Sequence, residues 1–168
     1  MKRCFAICVL AVGFAAAGVQ DAAAQVSTYM LVPNIQGGST VRGHEKWIDV
    51  MSLRQSLTNP PGKGTSSCSI EVVKALDIAG PKLWAAAVTG QFFGDIKIDV
   101  MRATGDGQSK LYEVHFLGAH VLSIETDVSA AAAERLTLSA DLVTLTFFTQ
   151  NADGSSGGPS SSASVACN

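Results

Sequence analysis

Residues 94–103 read GDIKIDVMRA. Ile96, Ile98 and Val100 fall on one side of an extended chain and Lys97 and Asp99 on the other, because strand side chains alternate with a period of two. A helix would wind these apolar residues around its axis and leave no apolar face, so the segment commits this part of the chain to a half-buried strand. TGDGQ (104–108) is a hairpin turn, and KLYEVHFLGAHVLSIET (110–126) is the strand that returns. That second segment is long for one strand, and Gly118 within it marks a bend or a bulge.

The same reading extends over most of the chain. TYMLVPNI (28–35) is a short apolar run broken by Pro33, with the turn QGGST after it. In KWIDVMSL (46–53), Ile48 and Val50 share one face and Trp47 and Asp49 the other. TNPPGKGTSS (58–67) reads as a long loop, and SIEVVKAL (69–76) as a strand. ERLTLSADLVTLTFF (134–148) starts with Leu136, Leu138, Ala140 and Leu142 on one face, then slips phase to Val143, Leu145 and Phe147. An extra residue near Leu142 and Val143 predicts a bulge there. AGPKLWAAAVTG (79–90) is the one helix, with Pro81 in its first turn, Gly90 at its end, and Leu83, Trp84, Ala87 and Val88 as its apolar stripe. Six or seven strands and one short flanking helix predict a mainly β fold, a compact barrel or two-sheet sandwich.

Lys2 and Arg3 precede a small and apolar run, and Ala22-Ala23-Ala24 gives the small-x-small pattern of a signal peptidase site. Residues 1–24 therefore read as a signal peptide cleaved between Ala24 and Gln25, directing the chain to the periplasm or outside the cell. The run is too short and too rich in Ala and Gly for stable membrane insertion, although an uncleaved anchor is the alternative. The mature chain divides into a β domain over 25–150 and a flexible Gly/Ser-rich tail over 151–168. Without Lys2, Arg3 and Asp21, the 12 basic and 14 acidic residues become 10 and 13, a net charge of −3 with no basic block. That balance argues against a nucleic-acid partner. Cys68 and Cys167 remain as an even pair in a chain bound for an oxidising space, so they are a candidate disulfide, with two free thiols or pairing between subunits as alternatives.

No arrangement of residues points to a reaction centre, and the chain reads as a non-enzyme with no catalytic residue, cofactor or metal site. His44, His115 and His120 are the only histidines. His115 and His120 lie five apart in a strand and point to opposite faces unless a bulge at Gly118 brings them together. The one G-x-S-x-G string, GSSGG (154–158), lies in the Gly/Ser-rich stretch, which cannot hold Ser156 rigidly as a nucleophile, and GKGTSS (62–67) lacks the Gly-Lys-Ser/Thr order of a phosphate loop.

YMLVPNIQGGSTVRGHEKWIDVMS (29–52) resembles the opening of the haemolysin-coregulated proteins (Hcp), the tube subunits of type VI secretion. His44, Glu45 and Ile48 occupy that family's His-Glu-x-x-Ile pattern. Asp77, Pro81, Leu83 and Gly90 match its strand-to-helix segment, and Glu134 leads the later strand. The similarity spans residues 29–148. It implies a β-barrel of two sheets with a flanking helix, assembled into hexameric rings that stack as a tube. The implied partners are further copies of the chain, a spike protein, a sheath and effector cargo. The 53–69 segment corresponds to that family's extended loop, which contacts neighbouring rings. The alternative is an exported monomeric β-barrel binding protein with the same fold and no tube role.

Overall fold

The computed structural model describes residues 25–59, 66–104, 107–129, 132–152 and 155–167. The predicted signal peptide lies outside these residues. Eight strands and one helix follow in order: β1 (Val26–Leu31), β2 (Ile48–Thr58), β3 (Ser67–Ala75), α1 (Gly80–Thr89), β4 (Phe92–Thr104), β5 (Gly107–Asp127), β6 (Ala133–Ser139), β7 (Leu142–Gln150) and β8 (Ser156–Ala166). Every strand pairing is antiparallel.

The strand order β4-β1-β2-β3-β6-β5 closes on itself because β4 also pairs with β5. This closure makes the barrel predicted from the strand pattern, and it pairs β4 and β5 with each other where an open sheet would leave edges. β7 and β8 continue from β5 as an outer extension. The barrel interior holds Met30, Ile48, Val72, Ile98, Val114, Phe116 and Leu136, all without exposed surface. Burying one such side chain contributes roughly 1.5–3 kcal/mol, so the alternating strands are the main source of stability.

Gly118 is a pivot rather than a bulge. Tyr112–Leu117 of β5 pair with β7, and His120–Asp127 pair with β6. Between them Gly118 takes φ 64°, and a Cβ there would stand 2.1 Å from Asp141 Oδ2. The Asp141 N–H donates to the Leu117 carbonyl at 2.9 Å, filling the gap between the two partners. The β4–β5 register runs unbroken through this point, from Asp95↔Leu117 to Phe93↔Ala119. The extra residues of β5 fall instead at Leu111, against the Val100/Met101 step of β4, and at Leu122, between Val121 and Ser123, against β6.

Four expectations are corrected. The phase slip near Leu142 and Val143 is not a bulge in one strand. The chain ends β6 at Ser139, turns at Ala140 and Asp141, and begins β7 at Leu142. The helix buries Gly80, Leu83 and Ala86, while Trp84 and Val88 are exposed. Its small residues allow close approach to β5, so the stripe runs along 79, 83 and 86. The 53–69 segment is not all loop, because Leu53–Thr58 pair with Ser67–Val72 as a hairpin arm. Finally, 151–168 is not a flexible tail: Ser156–Ala166 pair with Leu142–Gln150, so the β domain runs past residue 150. Backbone pairing needs no apolar side chains, which is why a Gly/Ser sequence can supply a strand. Among the described residues no helix is long and apolar enough to cross a membrane.

Candidate functional site

The residues singled out in the sequence gather at two places. The first is the junction where β3 meets the helix. Lys74 is wholly buried, and its Nζ donates to Glu134 Oε2 at 2.5 Å, to Asp77 Oδ1 at 2.8 Å and to the Ala75 carbonyl at 2.9 Å. Lys74 and Glu134 face one another across the β3–β6 ladder. Asp77 fastens two further segments, accepting from the Ala79 N–H at 3.0 Å and the Gly38 N–H at 3.1 Å. Gly80 starts the helix directly over Glu134, where a Cβ would lie 2.7 Å from Oε1. Pro81 occupies the first turn, Leu83 is buried, and Gly90 closes the helix at φ 62° with its N–H donating to the Ala86 carbonyl. Asp77, Pro81, Leu83, Gly90 and Glu134 thus fix the helix and the 36–47 segment to the barrel. A buried ammonium shared by two carboxylates ties their segments together, since removing it would strand a buried carboxylate.

The second place is the outer face of β4 and β5. His44 is buried under the 36–47 segment, with Nε2 3.0 Å from Asp99 Oδ2. Its ring stacks on Tyr29 at 4.4 Å between centroids and meets Trp47 edge-on at 4.7 Å. Asp99 also receives Lys110 Nζ at 3.0 Å, and Lys97 bridges to Glu113 at 3.0 Å. Glu113 bonds Lys110 and His115, and His115 reaches Asp95 at 2.9 Å. Burial pushes the Glu113 carboxyl up, but the bonds from Lys110, Lys97 and His115 outweigh it and hold it at about 2. The alternation that makes β4 a strand puts Asp95, Lys97 and Asp99 on this one face, opposite Ile96 and Ile98 in the core. Glu45 is exposed and accepts from the Gly43 N–H at 2.9 Å, while Ile48 is in the core.

His120 takes no part in the His115 network; it lies opposite Phe92 at the other end of the ladder. Among the described residues no group of three His, Cys, Asp or Glu side chains is placed to hold a metal ion. Both clusters spend their charges on one another and hold segments to the barrel.

What the surface offers instead is contact area. α1 packs on β5, and exposed apolar side chains collect on and beside it. Val88 is 83% exposed, Phe92 64% and Leu122, on β5, 59%. Ile78 stands just before the helix and Val128 just after β5, both exposed. Exposed apolar groups gathered like this mark a surface that meets another protein. Among the described residues two strand edges are also open. β1 pairs with β2 only over Ile48–Val50, leaving the arm beyond it bare on that side, and β8 pairs with β7 alone. Sequence reading missed both edges, because pairing partners leave no trace in side-chain alternation.

Residues 29–151 match the family described as type VI secretion system effector, Hcp. A solved structure described as that of a type six secretion system protein superposes with a TM-score of 0.75 at 24% identity, over 84% of this chain and 96% of that one. Hcp1 from Salmonella typhimurium superposes at 0.70 with 19% identity, over 84% of this chain and 94% of its own. The secreted protein Hcp3 from Pseudomonas aeruginosa does so at 0.66 with 17% identity, over 87% and 99%. Among curated protein sequences none matches this chain.

Proposed function

Since the chain belongs to the Hcp family of type VI secretion, we propose that it is a tube subunit whose copies close into hexameric rings and stack. The observation that carries this reading is the barrel itself: its motif residues are used up in anchoring the helix and the 36–47 segment, and its exposed apolar residues and open strand edges are left for other copies. Strand edges and apolar patches are the features that homo-oligomers use to join. Spike, sheath and effector cargo are the further partners this role entails.

The subunit acts after export. Two features support this. The Gln25 carbonyl accepts from the Ala103 N–H at 2.9 Å, so the residue that would follow the predicted cleavage point is already tied to the barrel. Cys68 and Cys167 are joined as a disulfide, a bond that persists in oxidising compartments.

Light scattering on the chain beginning at Gln25 tests the assembly. The expected mass is six times that of one chain. Val88→Glu changes a side chain too exposed to matter for folding, and it should shift the particle to smaller species. A persistent monomer at high concentration contradicts the ring and favours a binding protein of the same fold.

A further inference from the structure

We propose that the Cys68–Cys167 disulfide is a redox latch on β8, so that this outer strand docks in an oxidising environment and lets go in a reducing one. The inference concerns a single chain and does not depend on the ring. β8 reads SGGPSSSASVA, and within it only Gly158 and Val165 are partly buried, the rest being exposed. It therefore brings almost no apolar area out of water. Its attachments among the described residues include the backbone ladder to β7, the hydroxyl pairs Thr144–Ser164 at 2.9 Å and Thr146–Ser162 at 3.2 Å, and two side-chain bonds to backbone, Ser160 Oγ to the Phe147 carbonyl at 3.3 Å and Thr149 Oγ1 to the Gly158 carbonyl at 3.5 Å, all four open to solvent. The ladder is irregular at its far end. Its register shifts on either side of Phe148, Pro159 has no N–H to give, and Gly158 sits at φ 84°. Ordering a residue costs backbone entropy that one solvent-exposed hydrogen bond does not recover, and two glycines raise that cost.

What shifts the balance is the covalent tie one residue beyond the strand. Cys167 is buried, donates its N–H to the Asp141 carbonyl at 2.8 Å, and is bonded to Cys68 on β3. The disulfide thus ties the residue after β8 to β3, and its N–H bond seats it at the corner between β6 and β7. Cys68 is the more exposed of the two residues. A dithiol reductant attacks there as thiolate, forming a mixed disulfide and releasing Cys167 as thiolate. Its second thiol then displaces Cys68 and closes the reductant's own disulfide, so two electrons pass to the protein and both cysteines end protonated. Once β8 leaves, the β7 edge is bare. The groove of about 190 Å³ between Leu57, Ile70, Val143, Leu145 and Val165 loses the wall that Val165 supplies.

Hydrogen exchange read by mass spectrometry tests the latch on the full processed chain, oxidised and then reduced with dithiothreitol. In the oxidised chain the β8 amides that donate to β7 should exchange at least about 100-fold slower than an unstructured peptide. In the reduced chain they should fall to within about tenfold of that peptide, while amides of β4 and β5 stay protected at least about 1000-fold. The double variant Cys68→Ser/Cys167→Ser should match the reduced chain and ignore the reductant. β8 amides that remain protected after reduction, or that are unprotected while the disulfide is intact, overturn the proposal.

Discussion

Lys74→Met lowers the stability of the barrel by about 3–5 kcal/mol, the cost of stranding a buried charge. Among the described residues Lys74 is the single cation shared by Glu134 and Asp77, and no part of its side chain reaches solvent. Without it, Glu134 keeps only the Thr126 hydroxyl, at 3.4 Å, to compensate a carboxylate that is itself buried. The loss is large against a total of roughly 5–15 kcal/mol for a domain. Urea denaturation reads it as a lower midpoint at unchanged slope. Adding Glu134→Leu removes the stranded charge and should restore most of the loss, because a buried pair replaced whole by apolar groups is often neutral. A single variant as stable as the parent would mean that the junction is not an anchor.

Removing the disulfide as Cys68→Ser/Cys167→Ser has the next largest effect. The two cysteines are 99 residues apart in sequence, and closing a loop of that size constrains the unfolded chain by about 4.7 kcal/mol in the chain-entropy account. The measured loss should be smaller, between about 2 and 4.7 kcal/mol. If β8 undocks in the variant, its folded state regains part of the same freedom. Comparing urea midpoints of the oxidised parent and the double variant gives the number. A loss below about 1 kcal/mol would contradict the chain-entropy account, because it would mean that the bond restricts the folded chain nearly as much as the unfolded one.

The two anchors differ in how visible they were. Strands such as Ile96–Val100 could be read directly, since a half-buried strand writes its burial into alternate residues. The helix showed through Pro81 and Gly90, which mark its ends for backbone reasons, but its buried face did not. Ala79 and Ala86 carry little hydrophobic signal beside Trp84 and Val88, yet it is the small residues that fit against β5. The Lys74–Glu134 pair was hidden because residues 60 apart meet only through strand register. β8 was hidden more completely. A strand held by backbone bonds on an exposed edge needs no apolar residue, so its sequence looks like a linker. Cys167 was the one sign that this stretch was tethered. The turn at Ala140 and Asp141 was misread as a bulge because both shift the apolar phase by one. Asp141, polar in the middle of an apolar run, was the clue, and its N–H now bridges to Leu117 beside Gly118.

These pieces describe a subunit built for contact. The barrel is closed and apolar within, the charges are spent on fixing the helix and the 36–47 segment, and the remaining apolar surface and strand edges face outward. Direct imaging of the chain beginning at Gln25 by electron microscopy puts that to the test. The account predicts six-fold rings with an open centre, stacking end to end as concentration rises. Single barrels at every concentration, with neither rings nor stacks, would contradict it.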